Sequence, residues 1–177
     1  MRMLSLLWKN DLFFSNMISA LYAMPVVLFP AIIGYGLSWV CPVGKGHDTS
    51  ESAIPFRPPA WVFGVVWPVL YILLGVSLFL SLSDPILLSL HALIVLALAA
   101  WIPVTSCWGM KREGMWILVA CVLACAYAML LSKRSALLLA PLLVWVSFAV
   151  LMSAWQIGAH AASQSMRDMT RTALATA

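Results

Sequence analysis

RPPAWVFGVVWPVLYILLG, residues 57–75, decides the fold. Two prolines, Pro58 and Pro59, open it. Proline fixes its own φ and lacks an N–H that the first helical turn would leave unpaired anyway, so the pair reads as a helix start. A long apolar run follows, which is the length of segment that crosses a bilayer. The run also carries Trp61, Trp67, Tyr71 and a third proline, Pro68. At steps of three and four, Phe63, Trp67, Tyr71, Leu74 and Leu78 share one helical face. Trp61 lies at the entry to the span, where indole rings anchor at headgroup level. Trp67 lies about 10 Å deeper at 1.5 Å per residue.

The rest of the chain has the same character. Its 177 residues are 64% hydrophobic and 9% charged, with a mean hydropathy of +1.01. A soluble domain carries roughly a quarter charged residues. So little charge cannot cover a water-facing surface, and the solvent for most of this chain is lipid. Five segments reach spanning length: about residues 12–40, 60–82, 86–108, 114–132 and 136–160. The expectation is an all-α protein, an integral membrane bundle of five transmembrane helices in a single domain, 1–177. Residues 41–57 form the one sizeable loop, and 161–177 form a polar tail that frays or prolongs the last helix. The partner that composition demands is the lipid bilayer. No basic stripe with interleaved aromatics is present, so no nucleic-acid partner is expected.

Five spans put the ends of the chain on opposite sides. Arg2, Lys9, Lys133 and Arg134 fall on the N-terminal side, against Lys45, Arg57, Lys111, Arg112, Arg167 and Arg171 on the other. This excess favours a cytoplasmic C-terminus and a cytoplasmic 41–57 loop. The four cysteines form no C-x-x-C pair. Cys121 and Cys125, four apart on one apolar helix, read as small hydrophobes.

Six of the nine tryptophans, Trp8, Trp39, Trp61, Trp108, Trp116 and Trp155, lie near span ends and belong to the interfacial belt. Trp67, Trp101 and Trp145 lie deeper. On the fifth span Pro141, Trp145, Ala149, Met152 and Gln156 form a second stripe. Two readings stand: the stripes are helix-packing seams, or they wall an aromatic pocket that the 41–57 loop closes. In the pocket reading the ligand-binding residues are Phe63, Trp67, Tyr71, Trp101, Pro141, Trp145, Ala149 and Gln156, and the ligand is planar and apolar. His91, well inside the third span, reads as a neutral interhelical hydrogen-bonding group in preference to a haem ligand. No span carries an Asp or Glu near its centre, so acid–base and metal-assisted hydrolysis have no candidates, and neither catalytic nor metal residues are assigned.

The opening stretch resembles the signature of the TspO/MBR family, the tryptophan-rich sensory and translocator proteins. That pattern is roughly P-P-x-W-V-F-x-x-V-W-x-x-L-Y-x-x-M-G. It matches Pro58, Pro59, Trp61, Val62, Phe63, Val66, Trp67, Leu70, Tyr71 and Gly75, with Leu74 in place of Met. APLLVWVSFAVLMSAW is similar to the family's last-helix pattern through Pro141, Leu143 and Trp145, and GMKR at 109–112 resembles its third loop. The resemblance implies a five-helix bundle, often a homodimer, that binds tetrapyrroles such as porphyrins or, in animal members, sterols. It implies no obligatory cofactor, although a porphyrin- or haem-like ligand would fit. The family's pocket tryptophans carry over onto Trp67 and Trp145. A receptor or carrier is the expected function. The alternatives are a light- and oxygen-dependent porphyrin-degrading enzyme working through the same two indoles, and a structural module with a vestigial pocket. The expected location is a multi-pass protein of a bacterial envelope or an organelle membrane. Departures reduce pocket polarity: the family's third-helix N-x-x-W is not kept, with Leu98 in the Asn place if Trp101 is its tryptophan, or Ala100 and Pro103 in the Asn and Trp places if GMKR anchors the alignment, and Met152-Ser153 replaces Leu-Asn.

Overall fold

The computed structural model describes residues 23–41 and 54–175. Within them five helices run in chain order, α1 (Ala23–Val40), α2 (Ala60–Leu80), α3 (Pro85–Ser106), α4 (Lys111–Leu131) and α5 (Lys133–Ala175). Each is long and apolar enough to cross a membrane. The expected all-α five-span bundle is therefore what the chain forms. Residues 12–22 of the first span, Trp8, and residues 42–53 of the long loop lie outside the described residues.

The helix boundaries follow local chemistry. α2 starts after Pro59, which holds the extended φ −56°, ψ 149°, and whose carbonyl accepts the Val62 N–H at 3.0 Å. α3 starts at an Asp-Pro cap. The Asp84 Oδ1 accepts the N–H groups of Ile86 at 3.0 Å and Leu87 at 3.1 Å, while Pro85 fills a position that needs no donor. After α3 the chain reverses at Gly109, whose φ of +67° suits a residue without a Cβ. α4 and α5 are separated by Ser132 alone. Its Oγ accepts the Ser135 N–H at 3.3 Å, so the expected gap of residues 133–135 is taken into the helix, and α5 begins at Lys133 instead of 136. α4 likewise begins three residues early, at Lys111, because the Gly109 turn is complete by Met110.

The largest departure is the length of α5. It runs for 43 residues, about 64 Å at 1.5 Å per residue, roughly twice the hydrocarbon thickness. The polar tail therefore continues the last helix out of the bilayer. Residues 161–174 are almost all exposed there, including Met166, Met169 and Leu174.

α4 packs chiefly on α3 and α5, and α2 packs mainly on α5. The solid core holds Leu74, Ile94, Leu118, Cys121, Cys125, Ala128, Leu139, Leu142 and Val146, all almost fully buried. α1 lies against α2. A Cβ on Gly75 would strike the Val27 backbone, and one on Gly34 would strike the Tyr71 ring. Glycine at these two positions lets the helices approach closely.

Candidate functional site

α1, α2, α3 and α5 part toward the long-loop end and enclose a cavity of about 340 Å³. That volume lies at the lower end of the range for small-molecule sites, roughly 300–1,000 Å³. Phe63 and Trp67 of α2 face it, with Trp145 of α5 opposite. All three deep tryptophans, Trp67, Trp101 and Trp145, therefore line one hollow.

Ring contacts build the walls. Trp67 stacks on Tyr71 with centroids 5.3 Å apart and planes at 29°. Tyr71 in turn meets Tyr35 of α1 edge-on at 6.0 Å. On the other side Phe63 meets Trp145 edge-on at 5.5 Å, and Trp145 leans on Phe148 at 5.9 Å. Phe56, at the end of the long loop, meets Phe148 at 6.1 Å and Trp155 at 5.6 Å. Edge-to-face pairs of this kind contribute about 0.5–1.5 kcal/mol beyond their buried area. They also fix ring orientation, so both walls are preformed.

Seven of the eight residues expected from sequence line this cavity: Phe63, Trp67, Tyr71, Trp101, Trp145, Ala149 and Gln156. Pro141 does not. It is exposed, on an outer groove with Val65, Leu137 and Val144. Each step of four residues advances a helix about 40° beyond a full turn, so Pro141 and Ala149 lie about 80° apart. Pro141 is also about 6 Å below Trp145, at the level where the bundle is solid.

The α2 stripe divides by depth. Leu74 and Leu78 are packed into the core, whereas Phe63 and Trp67 face open space. Trp39, Trp61, Trp108, Trp116 and Trp155 are 50–88% exposed, as belt residues should be.

Sequence reasoning missed the wall from α1. Gly34, Tyr35 and Ser38 line the cavity. An aromatic beside two glycines, Gly34 and Gly36, is the available signal, since glycine marks close approach. It also missed Arg57, which lines the mouth together with Gln156. Polar groups are few and mostly committed. Ser38 Oγ donates to the Tyr35 carbonyl at 2.8 Å, and Ser153 Oγ to the Ala149 carbonyl at 2.9 Å. Leu98, on the cavity wall three residues before Trp101, is 2% exposed. The Trp101 Nε1 is the buried side-chain donor left without a partner among the described residues.

A disulfide joins Cys41 to Cys107, with Cα atoms 5.4 Å apart. Cys41 follows α1 and Cys107 follows α3, so the bond ties two cavity walls at the mouth. The five-span order puts both ends on one side of the membrane, which permits the pairing without specifying it. Cys121 and Cys125 are free and buried in α4.

His91 lies at the opposite end of the bundle and is fully buried. Its Nδ1–H donates to the Leu87 carbonyl at 2.7 Å, and the Ser77 hydroxyl donates to Nε2 at 2.7 Å. Both ring nitrogens are engaged in an α2–α3 tie, and the ring does not line the cavity.

A sequence profile of the TspO/MBR family matches residues 26–157. The chain belongs to the TspO/MBR family. The match spans α1 through the first half of α5 and so contains the described helical walls of the cavity. The α5 extension lies beyond it. Comparison with curated proteins brings up no match. Within the TspO/MBR frame, two of the three cavity tryptophans, Trp67 and Trp145, lie in the stretches that resemble the family pattern, as does Pro141, which does not line the cavity.

Proposed function

We propose that this TspO/MBR protein is a membrane receptor or carrier for planar, largely apolar molecules, with carboxylate-bearing tetrapyrroles as the preferred class. The observation that carries the reading is the hollow between Trp67 and Trp145, walled by oriented rings and open at one end. A flat ligand gains about 25 cal/mol per Å² of apolar surface removed from water, plus stacking on each ring. The distribution of polarity favours a tetrapyrrole acid over a sterol. The deep part of the cavity offers rings, Leu98 and Ile102, while Arg57 and Gln156 lie at the mouth. A sterol has one hydroxyl to place and no use for a guanidinium. A porphyrin has a flat apolar ring with carboxylates on one edge, which suits a greasy interior with a cation at its opening.

The disulfide supports an oxidising compartment at the mouth end, the opposite of what the cation count favours. Disulfides persist in oxidising compartments and are rare where thiols are kept reduced. Against that, the cation imbalance is two residues, one of which, Arg57, belongs to the cavity mouth.

The test is a titration of the purified protein with protoporphyrin IX, followed by tryptophan quenching and porphyrin absorbance. Trp67→Ala and Trp145→Ala should each weaken binding about five- to thirtyfold, the equivalent of about 1–2 kcal/mol per ring. Unchanged affinity in the double variant would remove the basis of the proposal.

A further inference from the structure

The Cys41–Cys107 bond lies where ordinary packing is thin. Deep in the bundle α1 is held by its close approach to α2 at Gly75 and Gly34. Toward its C-terminus that hold fades. Trp39 is 88% exposed and Val40 75% exposed, yet Cys41 immediately after them is buried. The last turn is still helical, with the Cys41 N–H donating to the Leu37 carbonyl at 2.8 Å. This same end of α1 supplies Tyr35 and Ser38 to the cavity, and the end of α3 supplies Trp101 and Ile102. The covalent link to Cys107 is thus what fixes the distance between these two walls. It is also within reach: Cys107 is an exposed residue, beside exposed Trp108 and the Gly109 turn.

We propose that the Cys41–Cys107 disulfide is a redox latch on the cavity mouth, holding the α1 wall closed for ligand and releasing it on reduction. The inference rests on the ligand-binding reading above and adds its regulation. The chemistry is thiol–disulfide exchange. A thiolate of an external dithiol attacks the sulfur of Cys107, the exposed partner of the pair, and expels the Cys41 thiolate, which takes up a proton. The second thiol of the donor then resolves the mixed disulfide. Two electrons and two protons pass to the protein, leaving two cysteine thiols, and the donor becomes a disulfide. Once released, the last turn of α1 keeps, among the described residues, its local hydrogen bonds, and the end of the wall beyond Tyr35, with Ser38, can move away from α3.

The test uses the full chain in detergent or nanodiscs, in three forms: oxidised, reduced with dithiothreitol, and Cys41→Ser/Cys107→Ser. Alkylation after denaturation, read by intact mass, should find two reactive thiols in the oxidised form, from Cys121 and Cys125, and four in the reduced form. Hydrogen exchange should accelerate at least about tenfold at residues 37–41 in both unlatched forms, with α4 unchanged, as expected of a helix end that opens locally. Protoporphyrin IX affinity should fall about tenfold, the equivalent of losing one ring contact. Four free thiols in protein isolated without reductant would overturn the latch. So would equal exchange at 37–41 in all three forms, or equal porphyrin affinity in all three. If no form binds porphyrin, the ligand reading fails by itself, and exchange at 37–41 still decides whether the bond holds the α1 wall.

Discussion

Gly75→Ala sets two effects of opposite sign against each other at one atom. In an open helix, alanine is preferred over glycine by about 1 kcal/mol. At Gly75, however, the new Cβ would meet the Val27 carbonyl, with the carbonyl carbon at 2.6 Å and the Cα at 2.8 Å. These are backbone atoms of α1 and cannot rotate aside. Ordinary van der Waals contact begins near 3.4 Å, so α1 and α2 must part by about 0.8 Å or more. Overpacking of this kind costs about 1–3 kcal/mol. Because backbone atoms cannot yield, the steric cost lies at the upper end of that range, about 3 kcal/mol, and the net loss is about 2 kcal/mol.

Gly36→Ala is the control, since a Cβ there meets nothing within 4 Å. The assay is thermal unfolding of both variants in the same detergent. For a chain of this size, 1 kcal/mol shifts the midpoint by about 2–4 °C. Gly75→Ala should therefore melt roughly 4–8 °C below wild type, and Gly36→Ala at or slightly above it. Porphyrin affinity should also fall in Gly75→Ala, because α1 carries Gly34, Tyr35 and Ser38 of the cavity wall. Equal midpoints for the two variants would refute the claim that a backbone-to-backbone crossing at Gly75 positions α1.

Three further outcomes follow from single contacts. Asp84→Ala removes the Oδ1 that accepts two N–H groups at the start of α3, and should cost about 1 kcal/mol in unfolding experiments, with Asp84→Asn recovering most of it. Ser77→Ala leaves His91 Nε2 buried without its hydroxyl partner and should destabilise by about 1–3 kcal/mol while leaving ligand affinity unchanged, because the pair lies away from the cavity. Arg57→Gln should weaken protoporphyrin IX about two- to fivefold, the scale of a solvent-exposed ion pair, and leave its dimethyl ester unaffected. An equal effect on acid and ester would show that Arg57 acts through packing.

How far the sequence carries depends on whether a contact is local. The helix start at Pro59 was legible because a helix start is set by adjacent residues. The choice of Trp67, Trp101 and Trp145 over the belt tryptophans was legible because depth scales with position along a span, and exposure in the structure sorts them the same way. Pro141 lies off the cavity because a stripe read at steps of four drifts around the helix, and nothing local says where a cavity ends and solid packing begins. The α1 wall and the Cys41–Cys107 bond were hidden for another reason. Each joins residues separated by a long stretch of chain, 66 positions for the disulfide, and periodicity within one helix carries no information about its neighbours.

The cavity itself follows from how residue size is graded along the bundle. At the end away from the loop the interfaces hold small groups, namely Gly75, Ser77, Cys121, Cys125 and Ala128, and Leu74 and Ile94 fill what remains. Backbones approach until nothing is left between them. Toward the mouth the inward positions become Tyr35, Phe63, Trp67, Trp101 and Trp145. Rings of that size, held edge-on or stacked by one another, cannot interdigitate as aliphatic side chains do. They keep the helices apart and leave a gap that is itself ring-shaped. A wedge of this kind tends to spread further at its open end, where α1 has little packing of its own. The bond between Cys41 and Cys107 is placed where it limits that spread, so the width of the hollow is set by glycine at one end and by cystine at the other.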